Sequence, residues 1–152
     1  DHVCAVSPVA KATGAPVYCP ALETFILADI MSYTWPGAGP YESYDADETV
    51  AGGERLELAG LEIDVLFTPG HSPGHVTYSI PAAKVAFSGD VLFAGSIGRT
   101  DLPGGDMATL LSSLKLLTTE LPAETQIFPG HMGSTTMARE LASNPFLQEL
   151  AR

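Results

Sequence analysis

Three times in this chain a run of strand-forming residues gives way to a turn of small residues and then to a histidine or an aspartate. Residues 61–67 lead into Thr68-Pro69-Gly70-His71, residues 84–88 into Gly89-Asp90, and residues 125–128 into Pro129-Gly130-His131. In layered α/β folds, the carboxyl ends of strands and the loops after them are where sites assemble. The repeated pattern therefore places His71, Asp90 and His131 on one edge of a sheet structure, with glycine letting the backbone bend sharply beside each. Taken singly, each piece is ordinary. A lone loop histidine is usually a surface residue, and Gly-Asp and Pro-Gly are common turns. His71 and His75, four apart, would pair on a helix, but Pro73 and Gly74 between them break one.

The chemistry of the set is that of a metal site. Neutral imidazole offers one lone pair, and a carboxylate can bridge two cations. Together they suit zinc, and also iron or manganese. Asp1 and His2 add two further candidates. Five ligands exceed one tetrahedral site and suit two metals.

Composition narrows the partners. Eighteen acidic residues against seven basic ones give a formal net charge of −11. Nucleic acid and anionic membrane both demand basic patches, so neither is an expected partner. Hydrophobic residues at 45% and charged residues at 16% exclude disorder. A chain of 152 residues is long enough for one domain with a core, and residues 1–152 are read as one. Its oligomeric state is open. The two cysteines, Cys4 and Cys19, form no Cys-x-x-Cys pair and are expected to be reduced and mostly buried.

The patterning is mixed α/β. Helices are expected over residues 3–13, 21–31, 107–119, 134–142 and 145–151. Strands are expected over 16–18, 55–58, 61–67, 76–80, 84–88 and 125–128, with a loop at 34–47. Ala59-Gly60 reads as a tight hairpin connection. Asp106 reads as an N-cap. Met107, Leu110, Leu111, Leu114 and Leu117 follow helical spacing and make one apolar face.

Longer motifs occur in a fixed order: Thr68-Pro-Gly-His-Ser-Pro-Gly-His75, Phe87-Ser-Gly-Asp-Val-Leu-Phe93, Gly95-Ser-Ile-Gly-Arg-Thr-Asp-Leu-Pro-Gly-Gly105, Phe128-Pro-Gly-His-Met-Gly-Ser-Thr-Thr136 and Asn144-Pro-Phe-Leu147. Together they resemble metallo-β-lactamase-fold hydrolases, in particular the glyoxalase II-like (hydroxyacylglutathione hydrolase-like) branch. The resemblance implies the αββα sandwich. That family carries a His-x-His-x-Asp-His motif, and Asp1-His2 match only its last two positions. The chain is thus expected to be cut within the motif and to lack the N-terminal strands, which makes it poorly active and aggregation-prone by itself.

Carried over residue by residue, the resemblance makes His71 a ligand of a first metal and Asp90 the bridging carboxylate. It makes Asp1, His2 and His131 ligands of a second metal. Two divalent metal ions are implied, zinc first, with iron or manganese as alternatives. A metal-bridging hydroxide would cleave a small-molecule thioester of hydroxyacylglutathione type, with Asp1 orienting it. Arg99 stands where related enzymes contact glutathione through a Lys-Phe-Tyr segment. Arg99 is thus a candidate substrate contact, or a salt bridge ordering the 95–105 loop. His75 is a candidate pocket residue or a supporting one. The implied setting is cytoplasmic. Two alternatives stay open: a mononuclear-iron persulfide dioxygenase, whose branch shares the Gly-Arg-Thr-Asp piece, and a non-catalytic metal-binding fragment.

Overall fold

Gly14 stops the first helix. At φ 69° it is left-handed, and its N–H closes on Ala10 O at 2.7 Å. The computed structural model describes residues 1–151, which divide into two units, Asp1–Ala51 and Gly52 onward.

In the first unit, α1 (Val6–Thr13) is followed by β1 (Tyr18–Pro20), α2 (Thr24–Ala28), a 3₁₀ turn at Ile30–Tyr33 and β2 (Glu48–Val50). β1 pairs with β2 in parallel, Cys19 opposite Thr49. The expected strand at 16–18 lies two residues later because the Val17 N–H is taken by the Asp47 carboxylate at 2.8 Å. The helix expected over 21–31 divides at Asp29, whose φ/ψ of −143°/62° is not helical. Residues 34–47 form the expected loop. Cys19, Leu27 and Ile30 make a small core with Val3, Val6, Val17 and Tyr44 against it. Both cysteines are free, and burial, with Glu23 nearby, raises the Cys19 thiol pKa.

The second unit is built on a six-stranded sheet. β3 (Arg55–Leu58) and β4 (Leu61–Phe67) form the expected hairpin, with Ala59 and Gly60 both at positive φ. β5 (Val76–Ile80) runs antiparallel to β4 and leads through a 3₁₀ turn at Pro81–Ala83 into β6 (Val85–Gly89), antiparallel again. A small hairpin follows, β7 (Leu92–Phe93) with β8 (Ser96–Ile97). After α3 (Met107–Glu120), β9 (Gln126–Pro129) inserts beside β6, parallel to it, and β10 (Thr135–Thr136) pairs with β9. The order is β10-β9-β6-β5-β4-β3. Residues 134–136, expected as helix, are not helical; Thr135 and Thr136 give this short strand, and Thr136 then caps α4 (Met137–Ser143) by accepting from Arg139 N. α5 (Pro145–Leu150) starts at its Asn144 cap.

This order decides where the site lies. β4 and β6 both run antiparallel to β5, and β9 runs parallel to β6. β4, β6 and β9 therefore point the same way, and their carboxyl ends fall on one edge of the sheet. α3 packs over one face. Its Leu110, Leu114 and Leu117 are fully buried with Ala86, Val91, Leu92 and Ile127, each leucine contributing about 1.5–3 kcal/mol by leaving water. Met107, expected on that face, is 44% exposed, because it occupies the first helical position, ahead of the core. The Asp106 cap forms as expected, its carboxylate accepting from Thr109 N at 2.7 Å. Among the described residues no helix is long and apolar enough to cross a membrane.

Candidate metal centre

Specific contacts fix the three strand-end turns. Gly70, at φ 129°, lies against α3 so closely that a Cβ there would meet Leu110 Cα at 2.4 Å. The Asp106 N–H donates to Gly70 O at 2.8 Å, and the Ser113 hydroxyl donates to Pro69 O at 2.6 Å. The helix that fills the core thus also seats the turn carrying His71. The turns after β6 and β9 bind each other directly, Gly130 N donating to Gly89 O at 2.8 Å.

The three side chains converge. Asp90 Oδ2 lies 3.6 Å from His71 Nε2 and 3.3 Å from His131 Nε2. The Asp90 side chain is largely buried, at 11% exposure, and His131 is the open one, at 48%. The His131 ring meets the Phe93 ring edge to face, centroids 6.0 Å apart. His71 Nδ1 lies 2.8 Å from Arg99 O. A carbonyl only accepts, so Nδ1 carries a proton, and Nε2 is the ring atom that faces Asp90 and is available to a cation. Two ligands of a tetrahedral zinc at ordinary bond lengths are about 3.3 Å apart. The donor types, the tautomer of His71 and the spacing all fit a divalent cation.

Asp1 and His2 lie in the first unit, both exposed, with His2 Nε2 3.7 Å from Asp1 Oδ1. The Arg99 guanidinium is held by the Asp101 carboxylate through two 2.6 Å contacts. This pairing draws the Asp101 pKa from 3.8 down to about 2. His75 lies beneath the site, its Nε2 3.1 Å from the Asp90 N–H.

Sequence reasoning missed three supports. One is the Arg99 carbonyl, a backbone atom with no side-chain signal. Another is Gly98, where a Cβ would fall 1.9 Å from Asp90 O, so that only glycine lets the 96–99 segment approach. The third is the buried Glu140. It accepts from Gly95 N at 2.8 Å, from Asn144 Nδ2 at 2.9 Å and from the Thr135 hydroxyl. Asn144 Nδ2 also donates to Ser96 O at 3.0 Å. These bonds tie the β7–β8 hairpin, and with it Phe93, to the C-terminal helices.

Two imidazoles and a carboxylate gathered at the ends of strands that point the same way make the second unit a mixed α/β fold with a donor set suited to a metal ion. The chain belongs to the metallo-beta-lactamase superfamily, whose family model matches residues 1–131. It is 41% identical over 154 residues to the probable metallo-hydrolase YqgX of Bacillus subtilis, across 97% of this chain and 71% of that protein. It is 48% identical over 95 residues to the hydroxyacylglutathione hydrolase GloC of Haemophilus influenzae, across 62% of this chain and 45% of that protein. Among solved structures it resembles the BLEG-1 B3 metallo-beta-lactamase, with TM-score 0.89 and 39% identity, and TTHA1623 in a di-iron-bound form, with TM-score 0.83 and 42% identity. Each match covers 97% of this chain and 72% of the other.

Proposed function

We propose that this chain carries the hydrolytic centre of a metal-dependent thioester hydrolase acting on a small hydroxyacyl-thiol conjugate of the hydroxyacylglutathione kind. The observation that carries the reading is the convergence of His71, Asp90 and His131 on one sheet edge, with Asp90 Oδ2 within 3.6 Å of both imidazoles. The likeness to GloC supports the thioester, and the likeness to a di-iron-bound protein supports two metals.

Asp90 is assigned as the carboxylate that would hold the two divalent cations, zinc first, with iron or manganese as alternatives. His71 and His131 are the imidazole ligands that flank Asp90, and Asp1 and His2 are proposed as further ligands on the family motif alone. When bound, such a pair supplies Lewis acidity and a water of lowered pKa. The chain's own part is to hold ligands and geometry. His71 is kept in one tautomer by Arg99 O, and Asp90 is shielded from bulk water. Asp1 is proposed as the carboxylate that would accept a hydrogen bond from the attacking water and so orient it. The leaving thiolate is stable enough to depart without a strong general acid. Arg99, already paired with Asp101, is assigned to ordering its loop. Two free cysteines suit a reducing compartment, which supports a cytoplasmic setting.

The test is metal analysis with a thioester panel on protein stripped by chelation and reloaded with zinc, iron or manganese. Two metals per chain and cleavage of hydroxyacylglutathione thioesters are expected. Asp90→Ala is expected to lose both metal and turnover. One iron per chain with oxygen uptake, or an Asp90→Ala variant with full turnover, overturns the reading.

A further inference from the structure

One histidine of the sequence motifs has no place among the assigned ligands. His75 begins the segment leading into β5, and its ring lies under the turn that carries Asp90. Both ring nitrogens are engaged. Nε2 is 3.1 Å from Asp90 N, a backbone N–H that can only donate. Nε2 must therefore accept, and so bears no proton. Nδ1 lies 3.0 Å from Thr68 Oγ1, and Thr68 Oγ1 lies 3.0 Å from Thr77 Oγ1. Both threonines are fully buried. A neutral ring with Nε2 bare carries its proton on Nδ1 and donates it to Thr68, whose own hydroxyl proton is then free for Thr77. Donation therefore runs in one direction, from the Asp90 backbone N–H through His75 and Thr68 to Thr77 in the core.

Space is made for this ring at one residue. Gly89 has φ 48°, and a Cβ there would meet His75 Nε2 at 2.5 Å. The other side of the Asp90 peptide is closed by Gly98, as described above. Asp90 is thus gripped at its N–H by an imidazole and at its C=O by a glycine that approaches to contact.

We propose that His75 is a positioning residue for Asp90: a neutral, Nδ1-protonated imidazole that fixes the backbone from which the carboxylate is aimed. The proposal rests on the assignment of Asp90 as a ligand, and it adds a role for a histidine that binds no metal itself. Its loss weakens metal binding by misaiming a ligand that is still present. Supporting hydrogen bonds of this kind change metal affinity by about 10–100-fold.

The 152-residue chain is tested in two ways. Long-range proton–nitrogen correlation NMR on the metal-free protein reads the tautomer directly, with Nδ1 protonated and Nε2 bare expected. A protonated Nε2 overturns the proposal. Zinc affinity is then measured by chelator competition on variants whose fold is checked by circular dichroism. His75→Gln, whose carbonyl oxygen reaches the Nε2 position, is expected to stay within about 3-fold of the parent. His75→Asn, whose oxygen reaches only the Nδ1 position, and His75→Leu are expected to lose about 10–100-fold. Equal affinity for Gln and Asn variants overturns the proposal, and that pair decides the matter even if the leucine variant fails to fold. A parent chain that takes up no metal sinks the proposed function instead, while the tautomer measurement still judges His75.

Discussion

A single backbone oxygen, that of Arg99, decides which nitrogen of His71 faces Asp90. That oxygen reaches its place only because residue 98 has no side chain. Gly98→Ala puts a methyl 1.9 Å from the Asp90 carbonyl oxygen, and backbone is what must yield. We expect a destabilisation of about 1–3 kcal/mol from overpacking, read as a lower melting temperature, with weaker zinc binding alongside it. An unchanged melting temperature and affinity would show that the loop does not depend on this approach. The same segment carries a pH prediction. The Asp101 carboxyl, hydrogen-bonded by Arg99, titrates at about 2 against an ordinary 3.8. A folded carboxyl that resists protonation contributes to stability above the unfolded value, and the contribution disappears as the pH falls from about 4 toward 2. Carbon-13 titration of Asp101 should give a midpoint near 2, moving up into the usual carboxylate range in Arg99→Gln. A midpoint near 3.8 in the parent chain would mean the pair does not form in solution.

Among the elements, the β3–β4 hairpin is the simplest to improve. Ala59 sits at φ 51°, a left-handed conformation strained for alanine and more readily adopted by glycine, which has no Cβ, or by asparagine, whose side chain hydrogen-bonds locally. Ala59→Asn creates Asn-Gly at the turn and should raise stability by about 0.5–1 kcal/mol, the scale of turn substitutions, measured by urea unfolding. The C-terminal helices should respond in the opposite sense. Glu140 is buried among three donors, and Glu140→Gln turns one acceptor into a donor facing them. A cost of about 1.5–3 kcal/mol follows from losing charge-assisted bonds, and a neutral outcome would mean that the network rearranges freely. These elements also mark how far the sequence could be read. The hairpin, the Asp106 cap, the leucine stripe of α3 and the three strand-end turns follow from local chemistry or period, and all were legible. β2 and β10 were not, since a strand of two or three residues carries no period and exists only through its partner. The shared direction of β4, β6 and β9, which gathers His71, Asp90 and His131, depends on β9 inserting beside β6, a long-range pairing. Arg99 O, Gly98 and Glu140 act through backbone atoms whose positions no side-chain pattern encodes.

For the molecule as a whole, two surface properties oppose each other. Eighteen acidic against seven basic residues make copies of the chain repel one another. The sheet face carrying Phe67, Phe87 and Phe128 pulls the other way. These side chains are 41%, 47% and 38% exposed, and the Phe87 and Phe128 rings stack across β6 and β9 with centroids 5.6 Å apart. Contiguous exposed apolar surface of this kind is an aggregation liability. Repulsion is long-ranged and screened, with a Debye length falling from about 30 Å at 0.01 M salt to about 8 Å at 0.15 M. Apolar contact is short-ranged and does not weaken with salt. Added sodium chloride should therefore increase aggregation on warming, measured by light scattering at fixed protein concentration. Phe87→Thr with Phe128→Thr should remove most of that increase at little cost in stability, because both positions accept a β-branched residue on a half-exposed strand face. If the double variant scatters as strongly as the parent at 0.15 M salt, the association runs through another surface, and the aromatic pair on β6 and β9 is not its cause.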